Sequence, residues 1–161
     1  MSEQLVLPDT RERSVLYEAL VPQVSALLAG ERDPIAGMAN LAAAIHTAFG
    51  WHWVGFYRVV GDELVLGPFQ GPIACTRIAR GKGVCGTAWA RNEVVLVPDV
   101  EAFPGHIACS PLSRSEVVVP IRSRGTVVAV LDIDSSILDD LQEADVSGLQ
   151  RLCDLLEAAW A

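Results

Sequence analysis

Apolar side chains recur at helical spacing from Thr10 to Gly30, where Val15, Leu16, Ala19, Leu20, Val24, Leu27 and Leu28 would share one face. Pro22 falls inside this stretch. Its ring lacks an amide donor and crowds the preceding turn, so the pattern predicts a split or kinked helix that stops at Gly30. Asp33 and Pro34, as N-cap and first helical residue, then open a second helix that runs to Gly50. His46 on that helix reads as a packed or boundary histidine. After Gly50 the period changes to 2. Trp51–Val60 is rich in aromatic and β-branched residues, stops at Gly61-Asp62 and is followed by Leu64-Val-Leu, which predicts an antiparallel hairpin. Alternation puts Trp53, Gly55 and Tyr57 on one face and Val54 and Phe56 on the other. Two aromatics flanking a glycine leave a groove with aromatic walls, unless they are a plain core pair. The segment alone favours the pair.

Pro68 to Pro72 is turn-rich, and Cys75–Ala79 is a short extended piece. Gly81-Lys-Gly-Val-Cys-Gly86 predicts a loop leading into a short helix, Thr87–Asn92; it lacks Walker spacing, so nucleotide binding is discarded. Val94–Val97 is a strand. Glu101–Arg114 is a loop of about fourteen residues containing Cys109, a length that compact domains keep for lids and binding loops. Glu116–Ile121 and Val127–Asp134 are two further strands. Asp132 and Asp134 share the face opposite Leu131 and Ile133, and Glu116 lies on a face with Val118 and Pro120. Unpartnered carboxylates on a buried face cost several kcal/mol, so these faces are either solvent-exposed or part of a polar pocket. Asp139–Trp160 is an amphipathic helix with Cys153 on its apolar side, as core packing.

Composition narrows the class. A chain of 161 residues with 51% hydrophobic residues supports one domain with a real core. The net charge of −8 repels phosphate backbones, which argues against nucleic acid and anionic membrane as partners. No apolar run approaches a membrane span, and MSEQLVLPDTRERS lacks the basic and apolar regions of a signal peptide, so a cytoplasmic location is expected. In that compartment four cysteines are core fillers, metal ligands or redox groups rather than staples. Cys75, Cys85 and Cys109 contain no Cys-x-x-Cys pair, which disfavours a structural zinc site; no metal and no bound cofactor are expected. Cys109, in a polar loop between His106 and Arg114, best meets the needs of a nucleophilic thiol. Cys75 and Cys85 lie in turn-rich neighbourhoods from which either could close a disulfide with it. Spacing alone leaves reactive and inert cysteines about equally open.

Six stretches together resemble a known family: Trp53–Tyr57, Gly81–Ala88, Val97–Val100, Pro104-Gly-His-Ile-Ala-Cys109, Ser115–Ile121 and Val130–Ser135. They are similar to the GAF domain superfamily and, within it, to the free methionine-(R)-sulfoxide reductases. The resemblance implies an α+β fold: a single GAF-like domain over 1–161, with a central antiparallel sheet, helices packed on one face, and a ligand pocket with loops on the other. Residues 1–50 would be N-terminal helices, 51–134 sheet and pocket loops, and 139–160 the C-terminal helix. It further implies that Cys109 attacks the sulfoxide sulfur and that Cys85 or Cys75 resolves the sulfenic acid as a disulfide. Thioredoxin would be the external reductant. Trp53 and Tyr57 would surround the substrate's S-methyl end. Glu116, Asp132 and Asp134 would bind the amino acid or protonate the sulfoxide oxygen. The family commonly has Asp after the catalytic Cys, where this chain has Ser110. A homodimer through the terminal helices is expected, and a non-catalytic GAF sensor of a small molecule or redox state is the competing function.

Overall fold

The computed structural model describes residues 4–160; residues 1–3 and 161 of the expected domain lie outside the described residues. The strands are β1 Trp53–Val60, β2 Glu63–Gln70, β3 Arg77–Ala79, β4 Val95–Val97, β5 Ser115–Ser123 and β6 Thr126–Ser135. They form one antiparallel sheet in the order β3-β2-β1-β6-β5-β4. The helices are α1 Arg13–Leu28, α2 Pro34–Phe49, α3 Gly83–Arg91 and α4 Glu143–Glu157. Among the described residues no helix is long and apolar enough to cross a membrane.

Strand alternation builds two apolar clusters, one on each face of the sheet. Val54, Phe56, Val117, Leu131 and Ile133 meet α1, α2 and α4 through Leu20, Leu41, Ile45, Leu152 and Cys153. Trp53, Tyr57, Val118 and Val130 point to the opposite side and meet α3 through Val84, Cys85, Ala88 and Trp89. Cys153 is therefore core packing, as its helical position predicts. The pocket face carries a helix as well as loops, because α3 begins at Gly83, earlier than the predicted Thr87. Gly83 adopts φ 60°, a conformation glycine takes at little cost, and this lets the chain turn directly from Lys82 into the helix.

Other boundaries moved for identifiable reasons. Pro22 does not split α1. It is exposed, as is Glu18, whose carbonyl loses its donor, while Leu20 and Val24 are fully buried. Burying those two side chains contributes roughly 1.5–3 kcal/mol each, enough to offset the ~3 kcal/mol of an interior proline. Val15, expected on the apolar face, is exposed, and Tyr17 takes the buried place. Pro68 belongs to β2 rather than to a turn. β3 pairs only with Glu63–Val65, so Pro68 sits where β2 has a free edge and needs no ladder donor. The last helix starts at Glu143, not Asp139, because Asp139 has φ 50° and the capping box of Gln142 and Asp145 fixes the first turn. By contrast, Asp33 caps α2 by accepting from the Ile35 amide at 2.8 Å, and Gly50 ends it in the left-handed conformation, both as predicted.

One buried acid escaped the sequence reading. Asp145 is fully buried, yet it accepts from Arg13 Nη1 at 2.5 Å, Tyr17 Oη at 3.1 Å and the Gln142 amide at 2.9 Å. This is how a buried carboxylate is normally kept: both oxygens have donors and a cation is adjacent.

Candidate active site

Three neighbouring strands form the floor of a pocket. Register sets Trp53 opposite Asp134 and Gly55 opposite Asp132 across β1 and β6. It sets Glu116 opposite Asp134 and Val118 opposite Asp132 across β5 and β6. Period-2 alternation then turns Trp53, Glu116, Asp132 and Asp134 to the same side, away from α1, α2 and α4. α3 brings Cys85 over this floor, and the segment after Phe103 brings His106, Cys109, Ser110 and Ser113. That segment is tied at its far end, where the Arg114 amide donates to the Ser135 carbonyl at 2.8 Å. Seven of the eight candidate residues line the pocket: Trp53, Tyr57, Cys85, Cys109, Glu116, Asp132 and Asp134. The eighth, Cys75, reaches it through a disulfide to Cys109, with Cα atoms 5.5 Å apart across 34 positions of sequence. Of the two resolver candidates, it is Cys75 that is bonded, while Cys85 is a free, buried thiol.

The aromatic wall differs from an open groove flanked by two rings. The Trp53 ring stacks against Tyr57 at 5.9 Å and Phe69 at 5.3 Å, and it lies in the space a side chain at Gly55 would fill. Gly55 therefore seats the indole, whose Nε1 donates to the Pro72 carbonyl at 3.0 Å. Tyr57 Oη donates to the Cys75 carbonyl at 2.8 Å, so its polar tip holds the disulfide-bearing segment. A Gly55→Ala chain should lose about 1–3 kcal/mol from overpacking, read as a thermal midpoint lower by about 2–4 °C per kcal/mol with altered tryptophan fluorescence. An unchanged midpoint would mean that the indole re-seats freely.

The floor is electrostatically unusual. Glu116 and Asp132 are 5% and 6% exposed, and no lysine or arginine forms an ion pair with either among the described residues. Burial raises the Glu116 carboxyl well above the ordinary range, and the Asp134 charge adds to it. Burial likewise raises Asp132, with Glu116 adding through its charge and through a carboxyl–carboxyl hydrogen bond. Asp134 is raised by burial and by Asp132, and a hydrogen bond from Ser113 offsets part of this. The Cys85 thiol is pushed up by burial and then by the charges of Asp132, Glu116 and Asp134. Asp132 Oδ1 is buried with no hydrogen-bond partner, the opposite of Asp145.

His106 Nε2 lies 3.6 Å from Glu116 Oε2. Burial lowers the imidazole's pKa as it raises the carboxyl's, so both favour their neutral forms and the contact is not a standing ion pair. Ser110 is tied down differently from an acid at that position: its Oγ lies 3.1 Å from His52 Nε2 and accepts from the Leu112 amide at 3.3 Å. Sequence reasoning named His106 only as a neighbour of Cys109 and missed Ser113 as a pocket residue; no local period signals that a loop folds back over a sheet. Chemically, the site holds a thiol–disulfide pair at its mouth, an aromatic wall, and carboxyls able both to donate a proton and to receive a cation.

A GAF domain model matches residues 33–160. The chain is similar to GAF domain-containing protein A of Dictyostelium discoideum, 54% identical over 142 residues that cover 88% of this chain and 90% of that one. It is also similar to the free methionine-R-sulfoxide reductase of Escherichia coli, 44% identical over 150 residues covering 92% and 91%. Among solved structures it resembles the free methionine-R-sulfoxide reductase of Neisseria meningitidis in complex with its substrate. There the TM-score is 0.96 and the identity 49%, over 99% of this chain and 96% of that one.

Proposed function

The chain belongs to the GAF domain family, and from its pocket we propose that it is a free methionine-R-sulfoxide reductase that uses Cys109 as its nucleophile. Attack of the Cys109 thiolate on the sulfoxide sulfur, with a proton delivered to the oxygen, leaves methionine and a sulfenic acid on Cys109. The Cys75 thiol attacks that sulfenic sulfur, the S–O bond breaks, and water departs as the Cys75–Cys109 disulfide forms. Thioredoxin then reduces the disulfide by exchange, so one dithiol is oxidised for each sulfoxide reduced. Glu116 or Asp132 supplies the proton, since a buried carboxyl with a raised pKa remains protonated where an ordinary one is ionised. The remaining carboxylate charge receives the substrate's ammonium. Trp53 and Tyr57 hold the methylsulfinyl end, where sulfur–aromatic contact adds modestly.

One observation carries this function: the Cys75–Cys109 disulfide joins two strand-connecting segments at the mouth of an acidic, aromatic pocket. A GAF module that only senses a ligand would need the acidic floor but no cysteine pair across its opening. The enzyme is taken to act in the cytoplasm, where thioredoxin is kept reduced, and as a homodimer through its terminal helices. With thioredoxin, thioredoxin reductase and NADPH, free L-methionine-(R)-sulfoxide should drive NADPH consumption, while the S epimer and a methionine-sulfoxide peptide should not. Tight binding of the free R epimer without turnover would replace the enzyme by the sensor.

A further inference from the structure

Cys85 has no step in the reaction above, yet its thiol sits on the pocket floor rather than in the core behind the sheet. Its Sγ, one carboxylate oxygen of Glu116 and one of Asp132 all lie within 4.8 Å of one another, and all three residues are buried. They project from α3, β5 and β6, three packed elements rather than loops, so their spacing is set by the scaffold. Asp132 Oδ1 has no partner, although Asp132 is only 6% exposed. His106 Nε2 lies outside that trio but 3.6 Å from Glu116 Oε2, near enough to close in as a fourth donor on a bound cation. A thiolate, an imidazole and two carboxylates form a mixed soft and borderline donor set. Zinc-class cations accept such a set, whereas magnesium and calcium ask for oxygen alone. Asp145 marks the contrast, since its oxygens are already filled by Arg13, Tyr17 and the Gln142 amide.

We propose that Cys85, Glu116 and Asp132, with His106, form an inhibitory site for a zinc-class divalent cation that competes with the substrate's ammonium for the same carboxylates. The competition rests on the reading of this pocket as the substrate site; the cation site itself does not. The oxidised chain isolates it, because the disulfide removes Cys75 and Cys109 as ligands and Cys153 lies in the opposite core.

Titrating the oxidised chain with zinc chloride should give one ion per chain. Cys85→Ser or Asp132→Asn should weaken binding at least tenfold. Added methionine sulfoxide should raise the apparent zinc dissociation constant linearly with its free concentration. Cobalt chloride supplies a readout that needs no variant: ligation by Cys85 produces a thiolate-to-cobalt charge-transfer absorption in the near ultraviolet. Absence of that band, or stoichiometric zinc binding undiminished in Cys85→Ser, overturns the site. Zinc binding indifferent to saturating methionine sulfoxide overturns the competition. The coupled reductase assay is run with a chelator present, so failure of the metal site leaves turnover untouched. A cobalt band in a chain without turnover would instead remove the reductase function and keep the site.

Discussion

Replacing Cys109 with serine should lower reduction of free methionine sulfoxide by roughly three orders of magnitude or more, because a nucleophile that acts with its neighbours as a unit leaves little residual rate when removed. Substrate binding should survive, since the aromatic wall and the carboxyls come from β1, β5 and β6 rather than from the Cys109 segment. Retained turnover in Cys109→Ser would sink the nucleophile assignment. The neighbouring thiols separate by stage. Cys75→Ser should still release about one methionine per chain in a first turnover and then stall with thioredoxin, with a sulfenic acid on Cys109 that a dimedone-type reagent traps. Cys85→Ser should cycle, because Cys85 is not the sulfur bonded to Cys109. A stalled Cys85→Ser chain together with a cycling Cys75→Ser chain would reverse the two roles.

The second large effect has opposite signs on activity and stability. Asp132→Asn should lower kcat by about 10²–10⁴-fold, the range in which general acids act. The same change should stabilise the fold by about 1–2 kcal/mol, because it removes a buried acid that has one unsatisfied oxygen and lies next to Glu116. For a chain of this size that is a thermal midpoint higher by about 2–8 °C. The pH dependence follows from the raised carboxyls of Glu116, Asp132 and Asp134. Between the ordinary carboxylate range and their raised values the folded chain binds more protons than the unfolded one. Their contribution to stability is therefore complete below the ordinary range and is lost as pH rises through the raised values. The wild-type midpoint should fall over that interval more steeply than that of Asp132→Asn, and kcat should fall with it as the proton donor ionises. A midpoint lower in Asp132→Asn than in wild type, or full activity in that chain, would show that this acid is neither strained nor used.

This coupling explains why the floor looks as it does. Asp145 and Asp132 are both buried acids in the same small domain. One is surrounded by donors and belongs to the scaffold, and the other keeps one oxygen, Oδ1, without a partner in the pocket. Stability given up at a site is an ordinary consequence of preparing it for a ligand.

Local chemistry made much of this legible in the chain itself. Asp33-Pro34 and Gly50 bracket α2 because a cap and a left-handed stop depend on only a few neighbouring residues. Trp53, Gly55 and Tyr57 share a face, as do Asp132 and Asp134, because period-2 alternation is built into the backbone of any strand. The identity of the acids and thiols is likewise covalent fact. What the tertiary structure decided was everything that depends on partners distant in sequence. Burial of Leu20 and Val24 carries α1 through Pro22, and the seating of the Trp53 indole over Gly55 decides for the aromatic pair over the groove that alternation also allowed. Register turns two separate acidic strands into one floor by setting Glu116 opposite Asp134. Chain folding also chooses Cys75 over Cys85 as the partner of Cys109, across 34 positions. Periodicity and capping act over a turn or two of chain, whereas register, burial and thiol pairing are set by which surfaces the packed core brings together.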